Sequence, residues 1–128
     1  MRIAIFENEY DTVEIAFKYL NKKFYNKTLE FKNYQRSQDI TDINELNLYR
    51  LIIIDIDLSA ASDLDGFGLI RKIEQEIDEP PQILIMTGQE LEDDYHTQNG
   101  LSQKYSILEK SINYNKLFDV FQELGITV

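Results

Sequence analysis

Three short runs constrain this chain more than any other feature. Residues 2–6 (RIAIF), 51–56 (LIIIDI) and 82–87 (QILIMT) are apolar at consecutive positions, rich in isoleucine and bounded by polar or turn residues. A strand with one wet face alternates apolar with polar, so runs apolar on both faces predict strands buried on both sides of a parallel sheet. Residues 29–34 (LEFKNY) do alternate and predict a half-exposed edge strand, and residues 105–109 (YSILE) supply a fifth strand.

Helical spacing fills the intervals. Val13, Ala16, Phe17, Leu20 and Phe24 form one apolar stripe, opened by Asp11 or Thr12. Leu69, Ile70, Ile73 and Ile77 form a second, stopped by Pro80 and Pro81, and Leu117, Val120, Phe121 and Leu124 a third, stopped by Gly125. Two shorter, more polar segments, 42–48 and 90–98, complete the set of helices. Strand and helix alternate five times, which predicts an α/β fold: a doubly wound, five-stranded parallel sheet with helices on both faces. Ligands in such sheets bind beyond the carboxyl ends of the strands.

A chain of 128 residues fits a single domain, 1–128. Its 23 acidic against 13 basic residues give a net charge of -10, which disfavours nucleic acid and anionic membranes as direct partners. With no cysteine, a disulfide framework and thiolate metal sites are excluded. The apolar run after Met1 is too short for a signal peptide or a membrane span, so a cytoplasmic location is expected.

The predicted strand ends concentrate the chemistry. Glu7-Asn8-Glu9 follows the first strand, Asp55-Ile56-Asp57 closes the third, Thr87-Gly88 the fourth, and Lys110 the fifth. A carboxylate directly after Leu51-Ile52-Ile53-Ile54 demands a cation or an ammonium, because an unpaired buried charge is strongly destabilising. Glu7-Asn8-Glu9 also suits the first turn of a helix. Gly66-Phe67-Gly68 lacks the third glycine and the Lys-Ser/Thr pair of a phosphate loop and reads as a helix entry. His96, the only histidine, has no partner at ligand spacing and reads as a solvated surface residue.

LIIIDIDL, DGFGLI, ILIMTG and ILEKSI together resemble the four signatures of response-regulator receiver domains, over almost the whole chain. The resemblance implies a flavodoxin- or CheY-like sheet of order 2-1-3-4-5 and a stand-alone receiver that signals by changing shape. It assigns phosphoryl acceptance to Asp55, phosphoryl-oxygen contacts to Thr87 and Lys110, and Mg²⁺ binding to Glu7, Asn8, Asp55 and Asp57. It implies a histidine kinase or phosphotransfer protein as donor and a downstream protein effector. Its chemistry would be at most self-phosphorylation from a donor and autodephosphorylation. The residue types suit that chemistry: a hard divalent ion and an ammonium offset the repulsion between two anions, and a hydroxyl gains a hydrogen bond only in the modified state.

The chain also departs from that pattern. Asn8 replaces a second acid, with Asp57 as the compensating carboxylate. Residues 60–64 (AASDL) lengthen the loop after the acceptor, which is expected to be mobile, and Ser59 and Ser111 replace prolines, the second of them in cis. Ile107 stands where the resemblance leads one to expect an aromatic, so that either Tyr105 substitutes or the switch works differently. These departures support an alternative, a degenerate receiver that binds a protein partner without phosphorylation. A phosphatase reading of Asp55-Ile56-Asp57, with Asp57 as general acid, lacks the acidic pair after the lysine, because only Asp119 and Glu123 follow Lys110.

Overall fold

Isoleucine on consecutive positions forms strands because its branched side chain packs well on a pleated surface, and successive residues then serve opposite faces. The computed structural model describes residues 1–128. Its strands are β1 (Arg2–Phe6), β2 (Glu30–Tyr34), β3 (Leu51–Asp55), β4 (Gln82–Thr87) and β5 (Ser106–Glu109). All four pairings are parallel, in the order β2-β1-β3-β4-β5. This is the expected doubly wound sheet, with β2 on one edge. Leu29, Ile56 and Tyr105 fall one residue outside their strands.

Ile3, Ile5, Leu51, Ile53, Leu84 and Met86 face one side, against α1 (Glu14–Phe24) and α4 (Tyr114–Glu123). Ala4, Phe6, Ile52, Ile54, Ile83 and Ile85 face the other, against α2 (Gly66–Glu76) and the connection between β2 and β3. α2 opens on Asp65, which accepts from Gly68 N at 2.7 Å, and α4 on Asn113, which accepts from Lys116 N at 2.9 Å. Past α4, Gly125 takes the left-handed φ of 72° that glycine adopts without strain. No helix is long and apolar enough to cross a membrane.

Three helix expectations change. The first helix starts at Glu14, after a 3₁₀ turn over Tyr10–Thr12. Thr12 does not cap it, because its hydroxyl donates back to the Glu9 carbonyl at 2.7 Å. Residues 42–48 form a 3₁₀ stretch, Ile43–Leu48, preceded by a shorter turn, Ser37–Asp39. Ile43 and Leu46 are buried three residues apart, the period of a 3₁₀ helix, and Leu48 is 63% exposed. Of residues 90–98 only Tyr95–Gln98 are helical, as the single turn α3. Glu90, Glu92, Asp93 and Asp94 are all exposed and repel one another, and no apolar stripe offsets them.

Candidate functional site

The strands bring the charges together. Ile3 and Ile5 lead to Glu7, Leu51 and Ile53 to Asp55, and Leu108 to Lys110, and those apolar residues all pack on the α1/α4 face. Strand alternation therefore puts all three charged side chains on that face, at the carboxyl edge. Glu7 is fully buried and Asp55 is 3% exposed. Lys110 Nζ pairs with Glu7 Oε1 and donates to Asp55 Oδ2 at 2.9 Å. Asp55 Oδ1 accepts from Asp57 N at 2.9 Å.

Two buried carboxylates facing one ammonium leave a negative charge uncompensated. Burial, reinforced by Asp55 and opposed by Lys110, raises the Glu7 carboxyl above its ordinary value. Burial also pulls Lys110 down, but its hydrogen bonds to Glu7 and Asp55 outweigh this and hold the ammonium above its ordinary value. A residual negative charge on oxygen donors suits a hard divalent cation in charge and donor type. No three acidic or imidazole side chains close into a metal cluster unaided, so neutral oxygens would have to complete the shell. Asn8, half-buried next to Glu7, offers one. Asp57 is exposed, and its carboxylate accepts from Gln89 Nε2 at 3.3 and 3.4 Å.

Thr87 is fully buried and follows Ile83 and Ile85, which pack on the opposite face of the sheet. Its hydroxyl accepts from Gln89 N at 3.0 Å and donates to the Gln89 carbonyl at 3.2 Å, while its own carbonyl accepts from Lys110 N at 2.7 Å. Thr87 thus reaches the same sheet edge with its hydroxyl engaged in the turn that follows. The Lys110–Ser111 peptide is cis.

Two contributors escaped the sequence reading. Gly66 was legible only as a helix entry, yet a side chain there would collide with the Ile56 backbone and the Asp55 carbonyl. Its amide donates to the Ile56 carbonyl at 3.1 Å, fixing the start of α2 against the end of β3. Gln89 lay in a polar, acidic stretch with no signal for its reach across to Asp57.

Three expectations need correction. Tyr105 does not replace the missing aromatic: β4–β5 register pairs Thr87 with Glu109 and Leu84 with Ser106, so Tyr105 precedes the opposite end of β5. Its hydroxyl donates to Glu74 on α2, and its amide donates to the Tyr95 hydroxyl at 2.7 Å. The 59–64 loop is tied down: Ser62 Oγ accepts from Ser37 N at 2.9 Å, Gln38 Nε2 donates to the Ala61 carbonyl at 2.8 Å, and Ser37 Oγ accepts from Leu64 N at 3.0 Å. His96 is half-buried, edge-on to the Tyr95 ring, with Nδ1 unpaired.

The sequence matches no family model and no curated protein. Solved structures do resemble it. A two-component response regulator from Clostridium difficile is 23% identical with a TM-score of 0.70, covering 98% of this chain and 96% of that one. The signal receiver domain of a DNA-binding response regulator from Colwellia psychrerythraea is 19% identical with a TM-score of 0.71, covering 98% of each. The receiver domain of NtrX from Brucella abortus is 22% identical with a TM-score of 0.69, covering 97% of each. The chain therefore has the fold of response-regulator receiver domains.

Proposed function

We propose that the chain is a phospho-receiver in which Asp55 accepts a phosphoryl group from a histidine kinase or phosphotransfer protein. The observation that carries this reading is the buried Asp55 carboxylate, held by Lys110 beside the buried Glu7 at the carboxyl edge of a receiver-type sheet. An Asp55 oxygen forms a bond to phosphorus as the phosphorus–nitrogen bond of a phosphohistidine breaks, and the imidazole leaves with the bonding pair. Lys110 faces the charge that develops on the phosphoryl oxygens. Thr87 supplies a hydroxyl that must leave the Gln89 turn to reach a phosphoryl oxygen, a contact absent from the free state.

Glu7 and Asp55, with Asn8 and Asp57 as further oxygen sources, would hold Mg²⁺, whose charge would offset the repulsion between the attacking carboxylate and the phosphoryl group. The modified domain acts on a protein effector, and hydrolysis of the acyl phosphate returns it to rest. Its net charge of -10 speaks against direct contact with nucleic acid or an anionic membrane.

The test uses acetyl phosphate or beryllofluoride, with Mg²⁺ and with EDTA, read by amide chemical shifts and, for acetyl phosphate, intact mass. The expected result is a Mg²⁺-dependent response centred on Asp55, Thr87 and Lys110 that Asp55→Asn loses. An equal response from Asp55→Asn refutes the reading. Silence of the wild-type chain at millimolar Mg²⁺ leaves a phosphorylation-independent binding module, the reading that Asn8 favours.

A further inference from the structure

The acceptor is joined to a region remote from β4 and β5. Asp55 Oδ1 accepts from Asp57 N, so any change at that oxygen acts first on the backbone entering the 59–64 loop. Leu58 anchors the loop in the core at 9% exposure, and a turn brings Ser62 N to the Ser59 carbonyl at 2.9 Å. Ser62 then binds across the molecule. Its hydroxyl accepts from Ser37 N and donates to the Leu64 carbonyl at 2.6 Å, while Gln38 accepts from Asp63 N and donates to the Ala61 carbonyl.

The two hydrogen-bonded segments wall a groove of about 580 Å³ floored by Ile40, Ile43, Leu64 and Leu69, with Gln38 and Lys72 among its polar lining residues. The opposite route is poorly equipped to respond. Ile107 offers no ring whose reorientation could report on Thr87, Tyr105 is bonded to Glu74 and Tyr95, and α3 is a single turn.

We propose that occupancy of Asp55 is relayed through the Ser62–Ser37 junction to the second crossover, making the groove between residues 37–43 and 63–72 the surface that responds. This rests on the receiver reading and adds where the signal leaves the site. The loop shifts with Asp57, and because Ser37 and Gln38 are bonded to it, one wall of the groove moves with it.

The experiment follows amide shifts of the full chain on adding beryllofluoride with Mg²⁺. Wild type is expected to shift at 55, 57, 87 and 110 and also at 37–43, and Ser62→Ala to keep the first group and lose the second. Gln38→Ala, which removes the ties to the Ala61 carbonyl and the Asp63 amide and leaves those of Ser37, is expected to diminish the second group while keeping the first, and serves if Ser62→Ala does not fold. Shifts at 87 and 110 that spread to 95–107 while 37–43 stay still overturn the relay and leave the receiver reading standing. Retention of the 37–43 shifts in both variants also overturns it, and no response anywhere overturns both readings.

Discussion

At the scale of single residues, Glu7 is where the proposed function and stability oppose each other. Its pKa is raised on folding, so the folded chain binds more protons than the unfolded chain between the ordinary value of 4.5 and the raised one. Stability from this group is therefore greatest below about pH 4.5 and falls as pH rises through the folded pKa. Glu7→Gln imitates the protonated acid, and chemical denaturation should show a gain of roughly 0.5–2 kcal/mol at pH 7 that shrinks towards pH 4. The same variant should lose the Mg²⁺-dependent response that the proposed function expects. Lys110→Ala should instead lower stability. With the ammonium gone the buried carboxylates are unpaired, and the loss of stability should be larger at pH 8 than at pH 5, where Glu7 takes up a proton more readily. The charged residues of this site were legible in the sequence because a carboxylate after four apolar residues needs a partner. The reach of Gln89 to Asp57 was not, because a polar residue in a polar stretch carries no signal of its direction.

Among the elements, α2 is the one that starts directly against the backbone of Asp55 and Ile56. Gly66→Ala puts a methyl group into the Ile56 backbone, which cannot yield as a flexible side chain would. The expected loss is about 1–3 kcal/mol by urea denaturation, together with a displaced Asp55 amide resonance. A change confined to stability would mean that α2 and β3 move independently. The long amphipathic helices were readable from spacing, since Leu69, Ile70 and Ile73 or Leu117 and Phe121 form stripes that one burial face satisfies. The short ones were not. Ile43 and Leu46 fit either helical period over so few residues, and the acidic 89–94 segment has too little apolar surface to hold a helix against charge repulsion.

For the whole molecule, the sheet divides the core into two halves, and the C-terminus closes one of them. The Tyr25 hydroxyl, fully buried at the end of α1, donates to the Ile126 carbonyl at 2.7 Å across almost the full length of the chain. Tyr25→Phe leaves that carbonyl unsatisfied, and the urea midpoint should fall by an amount equivalent to about 1–3 kcal/mol. Tyr25 also packs edge-on against Phe118 and Phe121, so the phenylalanine variant isolates the hydrogen bond from the ring contact. An unchanged midpoint would mean that water replaces the tyrosine.

The sequence by itself determined the parallel sheet, the alternation of strands and helices and the positions of Glu7, Asp55, Thr87 and Lys110 at strand ends, because buried strands and amphipathic helices are written in local periodicity. Tertiary structure decided what no local pattern encodes: the ammonium shared between two buried carboxylates, Thr87 turned into its own loop, Tyr105 committed to Glu74, and the loop after Asp55 bonded to Ser37 and Gln38. Each of these joins side chains that only the packing of separate strands and loops brings within reach, and their directions depend on partners far away in the chain.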